Sequence, residues 1–345
     1  MQTPELRRGT VGYACDLDVI EANTMLDYAS LARKSSFDAI WVFDHFHPWH
    51  HTNATESHAW IWMSTALERI NSIPMGTAVT APILRYHPAL IAQAFATMQK
   101  IYGSRVILGV GTGEAMNEVP LGFPWPPLKE RRERLIEAVT IIRRLCSEEF
   151  VDFSGKYFTL KSANMYMRAD FPIYIAAMGP KMAEVAGRLG DGFITSNQPP
   201  QHVKSVLMPA IRDGVKSAGK EFDAITKVTE LDISYDEDLD KALASAKRLG
   251  ASFTPEAHVA PIADPREIEK LDTTINEKQL LEKYAISNSP EDHIKKIEAC
   301  FQSGFDHVYI YSVSPNERKA IEMYRDEILP YFSAKVGEKK KPRRT

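Results

Sequence analysis

The sequence predicts a (β/α)8 TIM barrel with insertions, and three observations carry that prediction. Short apolar runs rich in β-branched and aromatic residues recur along the 345 residues, each followed by a stretch with apolar positions at helical spacing. About eight such units occur at a mean spacing of roughly 43 residues, as an eight-fold βα repeat requires. No Pro/Gly/Ser-rich linker interrupts the middle, so residues 1–335 are expected to form one domain and 336–345 a basic, disordered tail. A doubly wound open sheet is the competing topology. In either, the carboxyl ends of the strands carry the site.

Each unit has its own justification. Thr10 to Cys15 reads as the first strand and 19–35 as its helix, with Ile20, Met25, Leu26, Ala29 and Ala32 at helical spacing. The second strand is 39–43, stopping at Asp44 and His45, with a helix near 59–70. A third strand covers 75–80, and Pro88 opens a helix to 102. The run 106–110 is a strand that turns into Gly111-Thr112-Gly113-Glu114. A Pro-rich insertion at 120–127 precedes a long helix, 128–146. A hairpin is expected at 151–160, turned by Ser154-Gly155-Lys156. Alternation resumes with strand 173–177, helix 180–189, strand 192–196, helix 203–217 and strand 227–234. Residues 251–283 read as irregular, and helix 289–302, strand 307–313 and helix 316–332 close the chain.

Composition excludes several classes. A net charge of −3 lacks the clustered basic excess of a nucleic-acid binder, and no apolar run nears the roughly 20 residues that span a bilayer. Three dispersed cysteines without CxxC spacing suggest neither a disulfide framework nor a structural zinc site, and a reducing cytoplasm fits them.

The chemistry concentrates in Asp44-His45-Phe46-His47-Pro48-Trp49-His50-His51, which combines a carboxylate, imidazoles that titrate near neutrality and an indole N–H that never ionises. A catalytic metal would want further His or Asp ligands on later strand ends, where Thr112, Glu114, Met178 and Ser196 stand instead, so no metal is expected. His50 and His51 read as solvated loop. Gly109-x-Gly111-x-Gly113 is a poor dinucleotide turn, because Glu114 would repel a pyrophosphate; the glycines rather let a flat ligand approach the backbone, or serve barrel packing at Gly109. His45, Trp49 and Glu114 facing one cavity would suit proton transfer coupled to hydride transfer. GxSxG and Walker-type loops are absent.

Four segments together resemble the luciferase-like oxidoreductases that use coenzyme F420, near the glucose-6-phosphate and secondary-alcohol dehydrogenases. They are 44–49, 91–98, 109–118 and 190–194, within a similarity running from Gly12 to Phe332. The resemblance implies a luciferase-like barrel, a homodimer, and a deazaflavin ring in the barrel mouth. It implies that Asp44, Ala78, Val79, Thr112, Gly113, Asn117, Met178, Gly179, Lys181 and Met182 hold the cofactor, with a non-prolyl cis peptide at Ala78-Val79 behind the ring. Ala81 stands where the family has a cofactor-contacting threonine. His45, Trp49 and Glu114 match the catalytic trio, leaving open which of His45 and Glu114 is the base toward substrate.

The departures concern substrate. Where the glucose-6-phosphate enzymes clamp phosphate with two lysines and an arginine, this chain has Pro199, a residue near His258, and Lys283. Ser196 replaces a sugar-contacting threonine. Ser196, His258 and Lys283 are the candidate substrate contacts. The reading is an F420-dependent dehydrogenase of a small unphosphorylated alcohol or sugar, with glucose 6-phosphate the main alternative. An FMN monooxygenase, a metal-dependent barrel hydrolase and a non-catalytic binding barrel rank below it.

Overall fold

Period-two alternation builds the barrel wall. Along residues 40–43 alternate side chains leave opposite faces of the strand: Ile40 and Val42 join the layer beneath the helices, whereas Trp41 and Phe43 enter an interior cluster with Ala14, Ile107, Tyr174, Ile194, Val228 and Tyr309. The computed structural model, which describes residues 6, 8–250, 261–274 and 276–338, closes eight parallel strands around that cluster. They are β1 (Thr10–Cys15), β2 (Ile40–Val42), β3 (Met75–Thr77), β4 (Val106–Val110), β5 (Ile173–Ala176), β6 (Gly192–Ser196), β7 (Thr226–Ser234) and β8 (His307–Ser312). Each pairs with its successor, and β8 returns to β1 with Thr10 opposite His307. The expected (β/α)8 barrel is the observed fold.

The closed end of the barrel is packed rather than hollow. Trp41 donates its indole N–H to His307 Nε2 at 3.1 Å, and Thr10 Oγ1 lies 2.7 Å from Nδ1. Burial pushes His307 down to about 3, so a neutral ring accepts from Trp41 and donates to Thr10. All chemistry is thereby left to the opposite mouth, where the strands end.

Helices Ala22–Lys34, Ala59–Arg69, Pro88–Tyr102, Leu128–Ser147 and Pro180–Leu189 cover the wall in chain order, followed by a helical run that begins at Pro200 and ends with Met208–Ser217. None among the described residues is long and apolar enough to cross a membrane. The hairpin pairs Val151–Ser154 with Thr159–Ala163. Several boundaries differ from expectation. The first helix starts at Ala22 because Glu21 caps Asn23 and Thr24, freeing 16–21 as a loop at the mouth. β3 stops at Thr77, and after the cis peptide Ala78-Val79 the chain touches the sheet again only through an isolated bridge between Thr80 and Val110. Leu239–Ala246 is a helix capped by Asp238, and within the stretch 251–283 that reads as irregular the described residues include a helix, Glu277–Lys283, capped by Asn276; Ala285–Ile286 then pairs with the end of β7. The last helix, Leu329–Glu338, runs into the expected tail, whose remaining residues lie outside the described set.

Candidate active site

Parallel closure brings the loop after β1, the His-rich loop after β2, the cis bulge after β3 and the glycine turn after β4 to one rim. Two cavities open there. The larger, about 520 Å³, is walled by Ala78, Val79, Ala81, Gly111, Thr112, Gly113, Ala176, Ala177, Met178, Gly179 and Met182, and its lining also includes Asp44, Asn117, Arg131, Arg132 and Lys181. The smaller, about 130 Å³, is lined by Asp16, Asp18, Phe43, Trp49, His50, Glu230, Asp232, Arg248 and Tyr311. His45 and Glu114 line both and stand between them.

The glycines earn their places sterically. A Cβ on Gly109 would run into the Thr77 carbonyl oxygen, and one on Gly111 would stand 2.6 Å from Val79 Cγ2. Gly113 has φ +71, a conformation that costs a glycine little. Gly109 therefore serves strand packing, while Gly111 and Gly113 shape the large cavity against the Ala78-Val79 bulge. The bulge is cis, as the resemblance implied.

His45 is the most strongly held group. Its Nδ1 lies 2.9 and 3.0 Å from the two Asp18 oxygens, and its Nε2 lies 3.7 Å from Glu114 Oε2. Burial alone would lower its proton affinity, but the Asp18 carboxylate, their hydrogen bond and Glu114 lift it to about 10. The ring is thus an imidazolium at neutral pH. Asp18 also accepts the Trp49 backbone N–H at 3.0 Å, tying the indole-bearing segment to the same anchor. Asn117 receives the Phe46 N–H on Oδ1 at 2.7 Å and reaches Glu114 Oε2 with Nδ2 at 3.3 Å, so one amide braces both halves of the pair.

Asp44 is buried and saturated. Its Oδ1 takes Arg85 Nη2 at 2.9 Å and Tyr86 Oη at 3.3 Å; its Oδ2 takes Thr80 Oγ1 at 2.6 Å and Trp60 Nε1 at 3.1 Å. It lines the cavity and holds the start of the His-rich loop. Arg85 extends the network to Glu118, which burial pushes up to about 7.

The His-rich loop is not free in solvent. His50 Nε2 lies 2.8 Å from Asp272 Oδ2, and His47 Nδ1 lies 3.1 Å from the Ala263 carbonyl. Trp49 packs with Met116, Ile262, Ile268 and Leu271. The reading of His50 as a solvated loop residue is corrected: the segment 261–274 docks on this loop and roofs that side of the mouth. His51 is exposed.

Of the expected substrate contacts, Ser196, which ends β6, and Lys283 are both outside the lining of the two cavities, Lys283 reaching the small one only through the charges of Asp232 and Glu230, and His258 lies outside the described residues. Burial lowers the proton affinity of Lys283, and Asp232 and Glu230 oppose it. Asp232 is pushed up to about 6 by burial, despite the Asn197 amide at 2.8 Å, and Glu230 is pushed well above the carboxylate range by burial and the charge of Asp232. Asp16 and Asp18 follow an apolar strand just as Asp44 does, so the same rule would have found them. Glu230 and Asp232 sit inside β7, where alternation marks an inward face but not what faces it. One group of three metal-capable side chains, Asp18, His45 and Glu56, occurs among the described residues; the Asp18 oxygens in it are engaged by His45 and the Trp49 N–H.

Residues 5–307 match the model of the luciferase-like monooxygenase family. An F420-dependent glucose-6-phosphate dehydrogenase of Nakamurella multipartita is 36% identical over 341 residues, covering 98% of this chain and 100% of the relative. The enzyme of that name from Mycobacterium tuberculosis is 37% identical over 325 residues, 93% of this chain and 97% of the relative. Among solved structures, an F420-dependent secondary alcohol dehydrogenase in complex with an F420-acetone adduct superposes with a TM-score of 0.90 at 34% identity, covering 95% of this chain and 98% of its own. On the whole-chain match and the shared barrel, this protein belongs to the luciferase-like monooxygenase family.

Proposed function

We propose that this chain is an F420-dependent dehydrogenase that moves a hydride between a hydroxyl-bearing carbon of an unphosphorylated alcohol or sugar and the deazaflavin. The observation that carries the reading is the His45–Glu114 pair standing between two cavities of unlike chemistry. The large one fits the cofactor: Ala78, Val79, Ala176, Ala177 and Met178 offer a flat apolar bed, and Arg131, Arg132 and Lys181 offer cations for an acidic tail. Bound F420 supplies the hydride-accepting ring.

The proton is handled by the chain. As an imidazolium held at Nδ1 by Asp18, His45 presents Nε2–H to a substrate oxygen, which suits carbonyl reduction. For alcohol oxidation Nε2 must first be bare, and Glu114 Oε2 at 3.7 Å is the acceptor within reach. Trp49 would hold the substrate oxygen by its indole N–H. Phosphate is disfavoured because the cations near the small cavity are already faced by carboxylates: Arg248 by Asp16 at 3.7 Å, and Lys283 by Asp232 and Glu230. The glucose-6-phosphate relatives favour the second reading, a sugar phosphate. F420 reduction assayed with 2-propanol, glucose and glucose 6-phosphate separates the two; a strong preference for the phosphoester overturns the first. Exposed Ile61, Leu90 and Ile101 on adjacent helices support a homodimer, measurable by light scattering.

A further inference from the structure

A third carboxyl group stands behind the His45–Asp18 pair, and the chemistry above does not use it. Glu56 lies between the His-rich loop and the helix at Ala59. Its Oε1 accepts the Ser57 N–H at 2.7 Å, and its carboxyl group meets the Asp18 carboxylate in a hydrogen bond that needs one proton between the two acids. The adjoining Thr55 N–H donates to the Asp18 carbonyl at 2.8 Å, fixing this loop to the one that carries Asp18. One oxygen of Glu56, one of Asp18 and a ring nitrogen of His45 lie within 4.8 Å of one another.

Two carboxyl groups so close in a buried site titrate as a pair, one ionised and one protonated. The surroundings decide which. Burial favours the neutral form of Asp18, but the charge and hydrogen bond of His45 hold it below the ordinary carboxylate range. Burial and the charge of Asp18 push Glu56 up to about 9.

We infer that Glu56 is a positioning residue that sets the proton affinity of His45: its acid form leaves Asp18 as the only anion behind the ring, and its carboxylate form adds a second that retains the imidazolium proton. The inference rests on His45 being the proton-handling group proposed above. The other titratable groups around the pair are Glu114 beyond His45, and Asp16, Arg248 and Tyr311 beside Asp18; Tyr311 Oη donates to Asp16 at 2.8 Å. All of them remain when Glu56 alone is changed.

Glu56→Gln keeps the size and supplies an amide N–H donor in place of the acid O–H, but cannot ionise. The readout is the ring-carbon NMR titration of His45 in the protein without cofactor, assigned by its loss in His45→Gln. The expected result is a midpoint lowered by about one pH unit, a tenfold loss of proton affinity. The alkaline limb of alcohol oxidation should move with it, making the variant several-fold faster at pH 8. An unchanged or raised midpoint overturns the inference, as does saturable zinc binding that abolishes the His45 titration in the parent protein and not in Glu56→Gln. Glu56→Asp, which retracts the acid by one methylene, should shift the midpoint the same way by less, so a misfolded Gln variant leaves the test standing. Because the titration needs no turnover, it fails or succeeds apart from the proposed function, which His45→Ala tests by activity.

Discussion

The two sides of the barrel mouth differ in what their residues are for. The side built by the ends of β3, β4 and β5 is lined largely by small and apolar residues, with Arg131, Arg132 and Lys181 among its charged groups beside Asp44 and Glu114. The side built by β1, β7 and β8 is crowded with carboxyl groups whose cations are already engaged. The first side is walled by the Ala78-Val79 bulge and the Gly111-Thr112-Gly113 turn; on the second, Asp232 and Glu230 face Lys283. A ring of fixed shape dictates its bed, whereas a substrate is selected by charge and hydrogen bonding, which a few substitutions can invert.

The sharpest way to break this comparison is at the wall between the cavities. His45→Ala and Glu114→Gln should each lower kcat about 10²–10⁴-fold, the usual range for a general acid–base group, while fluorescence titration shows F420 still bound. Loss of binding instead would make the pair part of the cofactor bed.

The pH profile comes next. His45 is raised to about 10, so kcat/KM for alcohol oxidation should climb from pH 7 toward 10 by up to tenfold per unit, while carbonyl reduction, which uses the imidazolium, should stay level over that range and fall only above about 10. The linkage has a matching sign: a folded-state affinity above the unfolded value near 6.5 contributes stability that is complete below that pH and is lost as pH rises through about 10. Urea unfolding of the parent and of His45→Gln across that window reads the difference.

On the acidic side, the double change Glu230→Gln with Asp232→Asn should free Lys283 and raise kcat/KM for glucose 6-phosphate relative to glucose by about tenfold, of the order expected for one released charge contact. An unaltered ratio would remove those carboxyl groups from substrate selection. The smallest effect belongs to the cations lining the large cavity, where Arg132→Ala or Lys181→Ala should weaken F420 binding a few-fold, with a reduced dependence on salt.

Much of this was legible in the chain. Strand ends are readable because an apolar β-branched run that stops at Asp44-His45, or at Gly111-Thr112-Gly113-Glu114, announces both the wall and the residues delivered to its rim. Glu56 was invisible for the opposite reason: it lies in a polar loop with no period, and only the docking of that loop beside Asp18 gives its carboxyl group a partner. His50 was misread similarly, because its neighbour Asp272 comes from a segment more than two hundred residues away.

Local pattern alone determined where the strands fall along the chain and the face each side chain takes, since periodicity and turn chemistry act over a few residues. The tertiary structure alone decided which carboxyl groups meet and which of them keep their protons. Burial and long-range charge depend on distances through space, and those exist only once the barrel has closed.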